Sequence, residues 1–302
     1  MNSDSALFFV GLVGRTIGES PSTVMACSRI GPVNALGAAR RWAPGSFAME
    51  PLALPRAAES RWSTILAEPS TPRPTFEPSQ VEGLPEVAQR WLLRAVSVGS
   101  PLWEAVELEM TGEIRLKGAW RPFSARQALA PSKGFFWAAQ ATVGRFSIRG
   151  FDSYLQNEGE MRWKLLGVIS VMSARGQDVT GSARGRLAGE SVLVPTSFSA
   201  GTWRTGPFRN TVVVERLIDG HAETVQLGIG RDGTLTDVSM SRWGDPEGKG
   251  FGRYPFGVSV TEERTFHGVT IPAVLEAGWW HGTERQQEGR FFRAHISSAT
   301  FH

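Results

Sequence analysis

The stretch SRWGDPEGKGFGRYPFG, residues 241–257, has the glycine and lysine content of a phosphate-binding loop. A Walker loop requires four residues between its first two glycines and a hydroxyl residue after the lysine. Only three residues separate Gly244 from Gly248, and Gly250 follows the lysine. A dinucleotide-binding fingerprint requires a helix to begin at this point, whereas Pro255 and a strand-like run follow. We therefore predict a long connection between two antiparallel strands.

Residues that could carry hydrolytic or metal chemistry are scattered along the chain. The sequence contains no Gly-x-Ser-x-Gly motif, and no Cys–His pair is expected because the single cysteine, Cys27, lies in a proline-rich leader. The five histidines are widely spread, and His281 followed by Glu284 is too weak a pair to indicate a metal. Glu262 and Glu263 are consecutive on a predicted strand and so face opposite sides. We predict no catalytic residue, no metal site and no cofactor.

The charges of the chain nearly cancel, with 32 lysines and arginines against 29 aspartates and glutamates in 302 residues. A nucleic-acid-binding surface needs clustered cations, so we predict no nucleic-acid partner. The apolar content of 41% is enough for a large buried core. No stretch reaches the roughly 18 apolar residues of a membrane span, so we also predict no transmembrane segment.

The N-terminal residues give little indication of export. The apolar run ALFFVGLVG, residues 6–14, is short and has no basic residue before it. A polar stretch separates it from VMAC, residues 24–27, which loosely resembles a lipoprotein cleavage site, and we interpret Cys27 as not lipidated. A cytoplasmic location is therefore the default expectation, and the cell envelope is the alternative if the start of the chain is misassigned.

Composition divides the chain into a leader and an ordered domain. Residues 1–80 are proline-rich, aperiodic and poor in β-branched residues, so we expect them to be disordered or extended. Order is expected to begin with a helix over 83–96, where apolar residues recur at steps of three and four. We predict that residues 82–302 form a single curved-sheet domain.

Most of this domain has the pattern of strands. Val106, Leu108 and Met110 alternate with polar residues, which is the period of a sheet with one buried face. Asp-Gly at 219–220 and at 232–233 is the strongest short signal for a tight hairpin. These patterns predict a mainly β (α+β) fold, a strongly curved antiparallel half-barrel of about ten strands with two helices packed on its concave face.

One helix is expected to interrupt the strands, over residues 179–195. Gly181, Gly185 and Gly189 recur at intervals of four and fall on one face of this helix. Arginines and a glutamate in the same segment exclude a membrane helix pair. We predict a thin helix whose glycine face lies closely against the sheet.

Large aromatic residues occur in adjacent positions, at 135–137, 279–280 and 291–292. Neighbouring residues of a strand point to opposite faces, so these strands should be covered on both sides. If the last hairpin turns symmetrically around 285 and 286, Trp279 lies opposite Phe292. One face can belong to the core, whereas the other needs a helix, a partner or a ligand to cover it.

Four segments resemble a bacterial family catalogued as a domain of unknown function: LPEVAQRWL, GSARGRLAGESVLVPTSF, RWGDPEGKG and EERTFHGVTIP. The similarity spans about residues 82–302 and implies no activity or catalytic residue. The ending FHGVTIP followed by two strands is also similar, at the level of the fold, to the LolA-like periplasmic lipoprotein carriers. That resemblance implies a curved antiparallel sheet around helices, with an apolar cavity for acyl chains.

These observations predict a non-catalytic binder of an apolar ligand, a lipid or acyl chain, in a cavity above about 300 Å³ between sheet and helices. The expected lining residues are Trp137, Trp163, Trp203, Trp243, Trp279 and Phe291. One alternative is an enzyme whose site gathers scattered charges, such as Arg162, Arg184, Glu190 and Glu215. Another is a structural or interaction module whose aromatic strands bury against a partner.

Overall fold

A computed structural model describes residues 54, 56–67 and 73–302 of the chain, which contain one sheet of thirteen antiparallel strands. The strands are β1 (Val106–Leu116), β2 (Ala119–Ala130), β3 (Gly134–Val143), β4 (Phe146–Leu155), β5 (Glu158–Leu165), β6 (Ile169–Arg175), β7 (Thr202–Thr205), β8 (Thr211–Ile218), β9 (His221–Ile229), β10 (Leu235–Gly244), β11 (Gly252–Phe266), β12 (Val269–Trp279) and β13 (Arg290–Phe301). The α-helices are α1 (Arg56–Leu66), α2 (Glu86–Ala95), α3 (Gln177–Glu190) and α4 (Gln286–Gly289), and 3₁₀ turns cover Pro78–Val81, Ser191–Leu193 and Pro195–Ala200. None of the helices in these ranges has the length and apolar character needed to cross a membrane.

The sheet consists of two meanders. Strands β1 to β6 are neighbours in the order of the chain, and so are β7 to β13. The two sets join where β1 pairs with β13, with Val106 opposite Phe301. Strands β6 and β7 are the two edges, so the sheet is not closed.

The predicted antiparallel, mainly β architecture is confirmed, but the number of strands is thirteen and not about ten. The sequence pattern did not predict two of the strands. The run EMRWKLLGVISV is split into β5 and β6 by a turn in which Leu166 and Gly167 have positive φ angles of 52° and 75°. Strand β7 is only four residues long, too short to show a period of two.

The sheet is strongly curved, as the contacts of α3 show. This helix contacts both β5 and β10, which are eight strands apart in the order of the sheet. In a flat sheet that separation would be about 38 Å, whereas a helix with its side chains is only about 10–12 Å wide. The sheet therefore bends around α3, which also connects the two edge strands along the chain.

The glycine face of α3 packs against β10. A Cβ atom added to Gly181 would lie 3.0 Å from Cδ1 of Trp243, and one added to Gly185 would lie 3.1 Å from Cγ of Arg242. One added to Gly189 would lie 3.6 Å from Sδ of Met240. The glycine face of α3 therefore lies close to β10, and the helix covers Gln177–Glu190 instead of 179–195.

Strand β3 is buried on both faces, as its aromatic run predicts. Phe135 and Trp137 belong to the main core, which also includes residues of α2 and α3. Phe136 belongs to a smaller core on the other face, where α1 contributes Trp62 at a ring-centroid distance of 6.2 Å. The chain itself therefore covers this second face, which weakens the case for a partner protein there.

For residues 56–66, helix α1 corrects the expectation that residues 1–80 are disordered or extended. Trp62 and Ile65 lie three residues apart on one face of this helix and are buried against the sheet. Arg61 anchors it further by an ion pair of 2.7 Å with Glu160 on β5. Proline-rich flanks hid this short amphipathic segment. Cys27, interpreted above as not lipidated, lies outside the described residues.

The hairpin signals are confirmed. Asp219 and Gly220 have φ angles of 47° and 79°, as a tight turn between β8 and β9 requires. The glycine-rich stretch 241–257 connects β10 to β11, and Asp245 organises it internally. Its carboxylate accepts hydrogen bonds from the backbone N–H groups of Lys249, at 2.8 Å, and Gly250, at 3.1 Å.

The register predicted for the last hairpin is wrong. Phe292 pairs with Ala277, and a register shift follows, so that Gly278 pairs with Arg290. The connection contains the short helix α4 instead of a symmetric turn, which displaces β13 relative to β12. Trp279 instead lies opposite Phe256 of β11.

Candidate functional site

A cavity of about 150 Å³ lies between α3 and the face of the sheet that α3 covers. Nine strands contribute to its walls, which are mostly apolar. The apolar side chains include Met110, Ile114, Phe135, Trp137, Met161, Val238, Met240, Phe256, Leu275, Phe291, Phe292 and Ile296. Helix α3 contributes Val179, Ala183 and Gly189.

Two of the six predicted lining residues reach this cavity, Trp137 and Phe291. Trp163 lies behind Trp137, at a ring-centroid distance of 5.8 Å, and Trp279 packs on Phe256 outside the lining.

The other two predicted residues lie further away. Trp243 packs at the start of α3, where its Nε1–H donates to Asp178, and its ring stacks on Phe251. Trp203 packs on Trp91 and lines a small separate space of about 10 Å³.

A network of charged side chains lies in the wall of the cavity. Arg186 on α3 pairs with Asp152 at 3.2 Å and with Glu190 at 2.6 Å. Gln127 donates to the second oxygen of Glu190 at 2.6 Å, and Trp163 donates to Asp152 at 2.9 Å. The guanidinium of Arg186 also lies over the ring of Phe135, 4.5 Å from its centroid. This network is largely satisfied internally.

Arg242 is a second buried cation of the cavity wall. It is 9% exposed and donates from Nε and Nη2 to the carbonyl oxygen of Ser182, at 3.3 Å each. Its guanidinium lies 4.6 Å from the ring centroid of Phe256 and 5.4 Å from that of Trp279. Burial lowers the pKa of Arg242 to about 10, so it stays protonated at neutral pH.

Burial raises the pKa of Asp152 to about 6, and Arg186 and the hydrogen bond from Trp163 only partly oppose this. The carboxyl proton of Asp152 is therefore bound more tightly in the native state than in the unfolded state. The stability that this tighter binding provides is fully present below about pH 4 and is lost as the pH rises through 6.

Replacing Asp152 with asparagine should remove this pH dependence. The stability of Asp152→Asn relative to the unmodified protein is expected to increase by about 3 kcal/mol between pH 4 and pH 7. Urea unfolding at several pH values would measure it, with exposed Glu158→Gln as the control. A difference that is constant across this range would contradict the prediction.

The four charges proposed for a scattered enzyme site do not come together. Glu190 lines the cavity, but Arg184 pairs with Glu223 at 3.2 Å on another side of α3. Arg162 pairs with Glu160, and Glu215 is exposed on β8. No group of histidine, cysteine or acidic residues that could hold a metal ion occurs within the described ranges.

Sequence reasoning missed Asp152, Arg186 and Arg242, the charged residues that do meet in the cavity wall. Asp152 follows Phe151 on β4 and Arg242 precedes Trp243 on β10, so each stands beside a large aromatic residue. A charged residue next to a large aromatic residue, on a strand that is covered on both faces, was the sequence signal that could have indicated these residues. Only the pairing of strands, however, could show that the three lie together.

Taken together, the curved open sheet, the helix that contacts strands near both of its ends and the apolar space between them define an α+β protein with a cavity. Residues 74–291 match a family of unknown function, DUF6544, and the chain belongs to this family. A comparison with curated proteins finds no match.

Solved structures that are similar to this chain include a domain of a putative outer membrane lipoprotein-sorting protein from Vibrio parahaemolyticus (8% identity, TM-score 0.41). A LolA superfamily protein from Nitrosomonas europaea (9%, 0.40) and a DUF1329 family protein from Desulfovibrio piger (11%, 0.32) are also similar. Each comparison covers 72% of this chain, and 91%, 92% and 90% of the respective structures. The expected membership of a family of unknown function is thus confirmed.

Proposed function

We propose that this protein binds an apolar ligand, a lipid or acyl chain, in the cavity between α3 and the sheet, and that it does so without catalysis. The cavity itself carries the proposal, because it has apolar walls and lies beneath a helix that spans the opening of the sheet. In this proposal α2 and α3 lie on the concave face, and residues 82–302 act as one binding domain. Near-neutral charge supports the absence of a nucleic-acid partner.

The size of the cavity limits what it can hold. Its volume of about 150 Å³ is below the expected 300 Å³ and resembles that of cavities that admit a benzene-sized group. We therefore infer that it receives a short apolar molecule or the end of an acyl chain. Burial of this group would supply about 25 cal/mol per Å² of apolar surface.

A longer chain would require α3 to move away from β10. Such a movement would break the hydrogen bonds that side chains of β10 donate to α3. Trp137 and Phe291 would then contact the ligand directly, while Trp163 and Trp279 would support the wall from behind.

Extraction of the purified full chain with organic solvent, followed by mass spectrometry, tests the proposal. We expect one enriched apolar species from the unmodified protein and at least a tenfold loss of it from Ala294→Phe, which fills the cavity from β13. Ala222→Phe places the same side chain at an exposed position and serves as the matched control. An extract equal to that of an unrelated protein from the same cells would refute apolar binding.

The compartment of the protein remains a prediction. The default cytoplasmic location and the alternative location in the cell envelope can be separated by fractionation of cells that produce the full chain. Sedimentation of the purified protein would show whether it self-associates.

A further inference from the structure

Arg242 differs from the other cation in the cavity wall in having no carboxylate partner. Arg186 forms ion pairs with two acidic residues, whereas no acidic residue of the described chain lies within ion-pair distance of Arg242. The hydrogen bonds of Arg242 go to the carbonyl and hydroxyl oxygens of Ser182 alone. Neither acceptor carries a charge.

Two acidic residues of the cavity wall, Asp152 and Glu190, already have other hydrogen-bond partners. Asp152 accepts from Arg186 and Trp163, and Glu190 accepts from Arg186 and Gln127. They attract Arg242 across the cavity without a direct bond to it. A cation that is nine-tenths buried normally requires a paired anion, because burial without one is costly.

One part of the guanidinium group is available for such an anion. Nε and Nη2 donate to Ser182, while Nη1 forms no hydrogen bond with any described residue. The group belongs to the cavity lining, and the rings of Phe256 and Trp279 flank it. An anion at Nη1 would therefore be held next to an apolar wall, which suits a molecule with a charged end and an apolar body.

We propose that Arg242 binds the carboxylate of an aliphatic monoacid whose chain occupies the cavity. This inference rests on the proposed function and specifies the class of its ligand. A carboxylate is favoured over the head group of a phospholipid because the space of about 150 Å³ has no room for a phosphodiester and glycerol beside the chain. A carboxylate oxygen would accept a charge-assisted hydrogen bond from the free Nη1 of Arg242.

Titration calorimetry of the full chain with octanoate and with octanol provides the test, since the two probes share a chain and differ in the charged end. We expect octanoate to bind at least about tenfold more tightly than octanol, since a hydrogen bond to a charged group is stronger than one to a neutral group. In Arg242→Gln, which keeps a donor toward Ser182 and loses the charge, the two affinities should become equal within about threefold.

Two further variants separate charge recognition from a structural role of Arg242. Arg242→Lys should retain a preference for octanoate, and Ala222→Phe, at an exposed position of β9, should retain it in full. Equal binding of octanoate and octanol by the unmodified protein would overturn the assignment of Arg242 and leave apolar binding intact. Binding of neither probe, with an empty lipid extract, would overturn the proposed function itself. A preference that survives in Arg242→Gln would assign the carboxylate to another group and refute the proposal.

Discussion

Replacement of Glu223 by alanine is expected to lower the free energy of unfolding by about 3–5 kcal/mol. Glu223 on β9 is fully buried and pairs with Arg184 of α3 at 3.2 Å and with Arg253 of β11 at 2.9 Å. Without the carboxylate, the guanidinium of Arg184, whose side chain is only 13% exposed, loses its ion-pair partner between α3 and the sheet. The ion pair also ties α3 to two strands, so its loss should loosen the helix. Denaturant unfolding with a fixed m value would measure the change.

Two other substitutions serve as controls for Glu223→Ala. Glu223→Gln keeps an acceptor for both arginines and should cost less than the alanine variant. Glu262→Ala removes a half-exposed carboxylate whose contact with Arg264 is 3.4 Å, and it should change stability by less than about 0.5 kcal/mol. A cost below about 1 kcal/mol for Glu223→Ala would show that the buried pair contributes little.

The second large effect is expected for Trp163→Ala, at about 3–5 kcal/mol. Trp163 is 1% exposed, its ring lies against the backbone of Gly150, and it supports Trp137 in the cavity wall. Its removal leaves a void next to the existing cavity, which the curved strands cannot close without shifting their register. Thermal and denaturant unfolding would both report the loss.

Trp163→Phe separates packing from hydrogen bonding at this position. It keeps most of the ring but removes the donor to Asp152, so we expect a smaller loss of about 1–2 kcal/mol and a further rise in the pKa of Asp152. Phe208→Ala, at a position that is 69% exposed, is the control for loss of an aromatic ring and should be close to neutral. If Trp163→Ala also left the free energy of unfolding unchanged, the packing of Trp163 behind Trp137 would not stabilise the cavity wall.

Local features of the fold were predictable because their causes are local. An Asp-Gly pair forms a tight turn wherever it occurs between strands, and three glycines at steps of four define one face of α3 in any context. The period of two in β1 likewise depends only on neighbouring residues. These signals therefore predicted the hairpins, the helix and the antiparallel class.

The cavity could not be predicted in the same way, because it depends on curvature and on distant pairings. Every aromatic residue on a two-faced strand is a candidate for the lining, and only the bend of the sheet decides that Trp137 faces the cavity while Trp163 lies behind it. Asp152 and Arg242 are brought to one wall by α3, which reaches both ends of the sheet. No spacing within the sequence encodes that contact.

The junction between β1 and β13 has a consequence for biosynthesis. Val106 of β1 pairs with Phe301, so β1 gains its second neighbour only after synthesis has reached β13. At roughly 5–20 residues per second, translation of the intervening residues takes on the order of 10–40 s. Throughout this interval one hydrogen-bonding edge of β1 has no partner. Exposed edges of this kind template association between chains, so β1 adds a second open edge, besides that of β6, through which nascent copies on one messenger RNA would aggregate and which a chaperone would have to protect.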